Sequence, residues 1–249
     1  MNGNIAFLEL KYGNIYGGYP NYFVISEASV LVFDTISNKV FIESFNFTAD
    51  LDIVFFNTKV NDLGHTIKRL KYVQNLASKK KLPYDEEFKL PERDLEFAFK
   101  KSRNIKKYLQ NFFRRVNTKY QFDKIITFDG NRDVFLLERA GIDFRRKEIL
   151  DIQRELNKTC GYLFSLKKLA VVINYKVNHT SLTSNNLNYF LHPIAAKQLQ
   201  PKTAAMDAAK LMMLHNEFYN HRDDFLMKAA LLLNKIQQQQ QSEEKSTSS

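Results

Sequence analysis

The opening of the chain alternates between apolar runs and turn-forming residues. Residues 4–10 form a short apolar run that ends at a glycine-containing stretch, and runs rich in β-branched and aromatic residues follow at 22–33 and 39–47. The last two flank residues 34–38, whose polar side chains are typical of a hairpin loop. We therefore expect three consecutive strands that are antiparallel neighbours.

The middle of the chain changes to helical spacing. Residues 62–81 carry their apolar side chains on one stripe and their basic side chains outside it, which predicts a helix. A second helix is predicted after Pro91, with acidic residues in its first turn and arginines in its last. Together they predict a basic helical insertion between the third and fourth strands.

The second half of the chain returns to short strands. Residues 123–128 predict a buried strand that ends in an Asp-Gly-Asn turn, with a helix beginning near Asp133, and residues 148–152 predict another strand. Further helices are predicted at 165–172, 203–218 and 223–236.

Two segments predict little regular structure. Residues 174–188 are rich in Asn, Ser and Thr, so we expect an irregular loop. The glutamine run and polar residues of 237–249 predict a disordered tail. The whole pattern predicts one α/β domain over residues 1–236, with a central mixed sheet of about five strands flanked by helices.

Composition narrows the class of protein. With 249 residues and 44% hydrophobic content, the chain can bury the core of one domain. No stretch reaches the roughly 20 apolar residues of a membrane span, and the N-terminus lacks the order of a signal peptide. Cys160 is the only cysteine, which fits a reducing compartment and excludes a thiolate zinc cluster. We expect a cytoplasmic protein with no membrane partner.

The charge predicts a polyanionic partner. The formal net charge is +10 and the pI is about 9.4, and clustered cations gain free energy by releasing counterions from phosphates. The alternative is that basic helix faces simply meet water. Tyrosines lie among the cations and could stack on bases, so we expect RNA or single-stranded DNA as the partner. The predicted nucleic-acid-binding residues are Lys79, Lys80, Lys81, Lys100, Lys101, Lys106 and Lys107.

Five short segments occur in an order that is known from one family. Residues 30–34 and 39–46 look like its second and third strands, and residues 126–133 look like its second motif, with Asp133 at a helix start. Residues 151–155 are similar to the strand and helix that follow, and residues 202–209 are similar to its third motif. The chain thus resembles, over most of residues 4–220, the DEDDh family of proofreading-type 3′-5′ exonucleases, which have a ribonuclease H-like fold.

The resemblance implies a two-metal site whose first motif is degenerate. The family holds two divalent ions with carboxylates, one activating water and the other stabilising the leaving oxygen. Its first motif places Asp and Glu two residues apart on the first strand. Aligned on Gly13, these positions are Leu8 and Leu10, which cannot bind a metal. Asp133 and Asp207 match family positions and would be the metal ligands if a metal is retained.

Glu9 and Lys202 leave alternatives open. The strand alternation points Glu9 away from the face of Leu8 and Leu10. We favour Leu8 and Leu10 filling the metal space while Glu9 meets solvent or a basic neighbour; a one-residue bulge would instead bring Glu9 into the site. Lys202 stands five residues before Asp207, where the family has its general-base histidine. It either offsets the repulsion between Asp133 and Asp207 or is an exposed lysine.

Three functions follow. The favoured one is an exonuclease-like nucleic-acid-binding protein, catalytically inactive or impaired, that needs no cofactor: a pseudoenzyme. The first alternative is an active 3′-5′ exonuclease that uses Glu9, Asp133 and Asp207 with Mg²⁺ or Mn²⁺ in a rearranged site. The second is a protein-interaction module, in which the helix at 223–236 contacts a partner or a second copy of the chain.

Overall fold

The computed structural model describes residues 3–15, 23–46, 56–57 and 92–247. The helix predicted at 62–81, with Lys79, Lys80 and Lys81, lies outside the described residues. The side chains of residues 92–102, which include Lys100 and Lys101, are likewise outside the description. In the described part, no helix combines the length and the apolar character needed to cross a bilayer.

The centre of the molecule is a mixed sheet with the strand order β3-β2-β1-β5-β6. The first three strands are antiparallel neighbours, β5 runs parallel to β1, and β6 runs parallel to β5. This confirms the predicted α/β class and five-stranded sheet, while a two-residue β4 that pairs with the end of β1 was not predicted. The strands are β1 (Asn4–Ile15), β2 (Phe23–Asp34), β3 (Lys39–Asn46), β4 (Phe56–Asn57), β5 (Lys124–Thr127) and β6 (Glu148–Asp151).

Helices cover both faces of this sheet. The helix α1, which precedes β5, confirms the second of the two predicted insertion helices. The helix α6 packs on β1 and β2 from the other side, and its residues are buried nearly all round, as expected of a central helix. The helices are α1 (Glu92–Tyr120), α2 (Asn131–Arg139), α3 (Ile152–Cys160), α4 (Leu166–Val172), α5 (Pro193–Gln198), α6 (Ala204–Asn220) and α7 (Arg222–Thr247).

The sheet separates two apolar clusters. On the α1 face, Leu8 and Leu10 of β1 pack with residues of α1 such as Leu109. On the α6 face, Phe7 packs with residues such as Leu211 of α6. Successive side chains of β1 therefore belong to different clusters, as the alternation of a strand requires.

The prediction of an irregular loop at 174–188 is wrong. The segment contributes to a small antiparallel sheet of β7 (Lys176–Val177), β8 (Ser181–Thr183) and β9 (Asn188–Phe190). The Asn178 side chain makes the turn, because its Oδ1 accepts hydrogen bonds from two backbone amides, at 2.8 Å each. Leu182 is fully buried and anchors the small sheet on the core.

The last helix is longer than predicted. Instead of ending at Ile236, α7 continues through the glutamine run to Thr247, where the sequence predicts a disordered tail. Phe225 and Ala229 are buried and fix the base of α7. From such a base each further residue only extends the helix, which costs less than nucleation, and Gln, Glu and Lys are good helix formers.

Candidate functional site

Four ionisable side chains gather just beyond the stretch of β1 that pairs with β5, and we call them the Lys11 cluster: Glu9, Lys11, Asp133 and Asp207. Glu9 and Lys11 lie two residues apart on β1 and so share a face. Asp133 comes from the first turn of α2, and Asp207 from the first turn of α6. Glu9 interacts electrostatically with the other three, so three elements converge on one site.

The turn between β5 and α2 sets the position of Asp133. Asp129 adopts a left-handed conformation (φ 52°), and its backbone amide donates to Asp151 Oδ1 at 3.1 Å. At Gly130 a Cβ atom would lie 2.2 Å from the Thr127 side chain, so only glycine fits there. The Asp-Gly-Asn turn that the sequence predicts is therefore the feature that begins α2 and turns Asp133 toward β1.

The structure reverses the expected roles of the residues on β1. Leu8 and Leu10 are each 1% exposed and pack under α1, on the face opposite the cluster. Glu9 is 7% exposed and lies in the cluster near Lys11, so of its two predicted surroundings it meets the basic neighbour and not solvent. No bulge in β1 is needed, because the ladder with β2 is regular from Asn4 to Lys11. The predicted alternation of side chains along β1 is right, but the site lies on the face of Glu9 and not on the face of Leu8 and Leu10.

Lys11 and Asp207 form the ion pair at the centre of the cluster. The Lys11 ammonium group donates to Asp207 Oδ2, and Lys210 Nζ donates to Asp207 Oδ1 at 2.7 Å. The Lys11 side chain is only 3% exposed. Burial raises the pKa of Asp207, but the two ammonium groups outweigh it and hold that pKa below its ordinary value. Asp207 is thus an ionised carboxylate that already has two cationic partners.

Asp133 and Glu9 have the opposite electrostatic character. Burial raises the pKa of Asp133 to about 7, although the Leu10 backbone N–H donates to its carboxylate and Lys11 is near. Burial and the neighbouring Asp133 raise the pKa of Glu9 well above its ordinary value, against the opposing effect of Lys11. Glu9 Oε1 is buried without a hydrogen-bond partner among the described residues. Both carboxyl groups therefore retain protons more readily than ordinary ones.

Lys202 lies apart from this arrangement. It is exposed, in the turn before α6, and its backbone is left-handed (φ 70°). Among the described residues it makes no ion pair, whereas Lys11 and Lys210 both pair with Asp207. Of the two alternatives for Lys202, the structure therefore favours the exposed lysine. The positive charge beside the carboxyl groups, which was expected from Lys202, comes from Lys11.

Two further residues of the neighbourhood were not predicted from the sequence. Glu27 accepts a hydrogen bond from the Ala204 backbone N–H at 2.9 Å and so ties β2 to the first turn of α6, which also carries Asp207. Tyr175 donates to Met206 Sδ at 3.4 Å; burial and the nearby Asp207 raise the pKa of its phenol. Lys11 itself carried a detectable signal, because it follows Glu9 at the strand period of two.

The donor set does not fit the metal that the resemblance implies. Among the described residues no group of three His, Cys, Asp or Glu side chains is arranged to hold a metal ion. The contact that a cation would make with Asp207 Oδ2 is made by the Lys11 ammonium. Asp133 and Asp207, the predicted metal ligands, are thus in one cluster with a cationic side chain beside them.

Of the predicted nucleic-acid-binding residues, Lys106 and Lys107 are described, half-buried and exposed on α1. Next to them, Tyr108 is 45% exposed and stacks on Phe45 of β3, with ring centroids 6.4 Å apart and an interplanar angle of 16°. Further along α1, Lys119 lies over the Tyr120 ring. Aromatic and cationic side chains therefore lie close together along the α1–β3 border, where Glu43 of β3 accepts a hydrogen bond from Lys119 at 2.8 Å.

No family model matches the chain, and no curated protein matches it significantly.

Proposed function

We propose that the chain is an exonuclease-like domain of the ribonuclease H-like type that binds nucleic acid and has lost metal-dependent cleavage. The observation that carries the proposal is the ion pair of the buried Lys11 with Asp207. A lysine occupies a strand position that shares its face with Glu9, in a cluster otherwise made of carboxyl groups.

The topology supports the choice of fold. Three antiparallel strands followed by two parallel ones, with helices on both faces, are compatible with the ribonuclease H-like arrangement. The Lys11 cluster lies beyond the carboxyl end of β5, which is where open α/β sheets form their ligand sites. The resemblance of residues 126–133 and 202–209 to the family motifs agrees with this position, since Asp133 and Asp207 both contribute to the cluster.

Electrostatics support the loss of metal chemistry. A divalent ion about 4 Å from a buried ammonium group is repelled by roughly 8 kcal/mol at an effective dielectric constant of about 20. Holding two such ions takes several negative charges. The positive charge of Lys11 instead lowers the net negative charge of the cluster by one, and its ammonium group already binds Asp207. The proposed pseudoenzyme keeps carboxyl groups at two motif positions, Asp133 and Asp207, and the Lys11 ammonium group stabilises the ionised form of Asp207.

Nucleic acid is supported as the partner by charge and by the α1–β3 border. The chain has a net charge of +10, and the border brings cations close to aromatic rings such as Tyr108. Such surfaces bind single strands by combining phosphate neutralisation with base stacking.

A cleavage assay combined with Lys11→Glu tests the proposal. With 5′-labelled RNA and DNA and either Mg²⁺ or Mn²⁺, we expect no metal-dependent shortening by the parent protein. In Lys11→Glu a carboxylate lies two residues after Glu9 on the same face, so we expect Mn²⁺ to bind at least about tenfold more tightly by calorimetry. Lys202→Glu is the control, because it makes the same charge change at an exposed position.

Two outcomes would contradict the proposal. Shortening by the parent protein that disappears in Asp133→Ala would support the active exonuclease instead, an alternative favoured by the orientation of Glu9 toward the cluster. Equal Mn²⁺ affinities of the parent and Lys11→Glu would show that Lys11 does not stand in for a metal.

A further inference from the structure

A cavity of about 310 Å³ opens on the α1 face of the sheet, between α1 and the connection from α2 to β6. It reaches Phe122 and Ile125, at the amino end of β5. Glu9 and Lys11 of the Lys11 cluster lie on the opposite face of the sheet, and the cluster lies beyond the other end of β5, so the two are separate sites. The volume lies in the range of pockets that bind small molecules, about 300–1,000 Å³.

The floor of the cavity is aromatic. Phe113, Phe122 and Phe144 contribute buried rings, and Ile125 of β5 lies among them. The rings of Phe113 and Phe144 meet edge to face at 90°, with centroids 6.4 Å apart. Fixed phenylalanine rings offer flat apolar surface at little entropic cost, which favours a planar aromatic ligand.

One wall carries a half-buried ammonium group whose only salt-bridge partner among the described residues is an exposed carboxylate. The Lys147 side chain is 16% exposed, and its hydrogen bonds go to neutral acceptors: Asn117 Oδ1 at 2.8 Å and the Phe122 carbonyl oxygen. Its salt-bridge partner, Asp123, is 3.7 Å away and 82% exposed. Because the counter-charge of Lys147 is an exposed carboxylate at 3.7 Å, an anion in the cavity would add charge neutralisation at this ammonium group.

The rim adds a second cation. Arg114 of α1 lines the cavity and is exposed, and it makes no ion pair among the described residues. Asp143 is the lining carboxylate, and the Arg145 guanidinium group already holds it through two hydrogen bonds of 2.9 and 2.7 Å. The lining therefore carries a net positive charge available to a ligand.

We propose that this cavity binds a small aromatic anion, with its ring on the phenylalanine floor and its anionic group against Lys147 and Arg114. Two sources share that chemistry, an aromatic carboxylate and a nucleoside monophosphate. The inference concerns a small ligand, and it does not depend on the proposed function of the Lys11 cluster.

Isothermal titration calorimetry of the full chain with three probes tests the proposal. We expect 2-naphthoate to bind saturably with a Kd of about 1 mM or tighter, and its uncharged methyl ester to bind at least about tenfold more weakly. Adenosine monophosphate forms the other arm, and tighter binding of it would identify a nucleotide as the source. Absence of saturable binding by both anions, or equal binding of acid and ester, would overturn the proposal.

Variants locate the binding. Arg114→Ala should weaken the binding of the anion by about tenfold, because the substitution removes a charge-assisted contact. Arg146→Ala, at an exposed arginine outside the cavity lining, should leave the affinity unchanged. Lys147 also holds the Phe122 carbonyl group, so Ile142→Trp serves as the second test, since it fills the cavity without changing a charge. Unchanged affinity in both Arg114→Ala and Ile142→Trp would also overturn the proposal.

Discussion

Folding shifts the pKa values of individual carboxyl groups in the Lys11 cluster in opposite directions. Asp207 has two ammonium partners and a lowered pKa, so ionisation of Asp207 favours the folded state. Asp133 is buried, and its pKa is raised to about 7, so its ionisation opposes the folded state. One small cluster therefore contains contributions to stability with opposite dependence on pH.

Asp133→Asn tests the sign of the second contribution. The folded state binds the Asp133 proton more tightly than the unfolded chain, so stability falls as pH rises from about 4 to about 7. Asparagine does not ionise and can still accept the Leu10 hydrogen bond. We expect the variant to be more stable than the parent by about 1–3 kcal/mol at pH 8, with the difference vanishing toward pH 4. Urea unfolding across this range measures it.

Glu138→Gln provides the control, because it removes an exposed carboxylate from the same helix. The difference in the free energy of unfolding between Glu138→Gln and the parent should not change across the pH range. An Asp133→Asn variant that is less stable than the parent at pH 8 would contradict the burial argument.

At the residue scale, the sequence predicts only part of the geometry of β1. Alternation along β1 was predictable and correct, since it follows from the geometry of any strand. Which face of β1 belongs to the site was not, because that depends on which helix packs on which side. The spacing to Gly13 predicted that Leu8 and Leu10 face the site. In the structure, α1 packs on the two leucines, and α6 packs on the face that carries Glu9 and Lys11, so the site is on that face.

The helices contribute to the Lys11 cluster with residues of their first turns, and α6 is the clearest case. Its first turn has two caps: Thr203 Oγ1 accepts from the Met206 backbone N–H at 3.2 Å, and Glu27 accepts from Ala204 at 2.9 Å. A carboxylate at this end also interacts favourably with the helix dipole. Since Asp207 lies in this same first turn, three residues after Ala204, Glu27 is a positioning residue for the ion pair with Lys11.

Substitution of Glu27 should separate these effects. Glu27→Ala removes both the acceptor and the charge, and we expect it to lower the free energy of unfolding by about 1–2 kcal/mol. Glu27→Gln keeps an acceptor, so its loss should be roughly half as large. Thermal and urea unfolding compare the two. Equal stability of Glu27→Ala and the parent would mean that Thr203 alone caps α6.

The errors at the element scale have physical causes. The small sheet of β7, β8 and β9 was missed because its strands are two or three residues long and too short for a periodic pattern. Asn178 does form a turn, as its residue type predicts, but the turn joins paired strands. The end of α7 was missed because composition predicts disorder, whereas continuity with a packed helix favours further helical turns.

At the scale of the whole molecule, net charge and fold give different kinds of information. The charge of +10 concerns partners and association rates and is independent of the fold. The sheet determines where cations and aromatic rings come together, and in the described part they meet along the α1–β3 border. Binding of a single strand there would have an electrostatic component and a stacking component that can be measured separately.

Fluorescence anisotropy of a labelled single-stranded RNA or DNA across salt concentrations separates them. For the double variant Lys106→Gln/Lys107→Gln we expect weaker binding and a smaller slope of log K against log[salt], by about 0.7 for each phosphate that the variant no longer neutralises. Tyr108→Ala should weaken binding by about 1–3 kcal/mol and leave the slope unchanged, because stacking releases no counterions. Tyr219→Ala, at a similarly exposed tyrosine on α6, is the matched control. If the parent protein fails to bind either strand at low salt, its positive charge has another purpose and nucleic acid is not its partner.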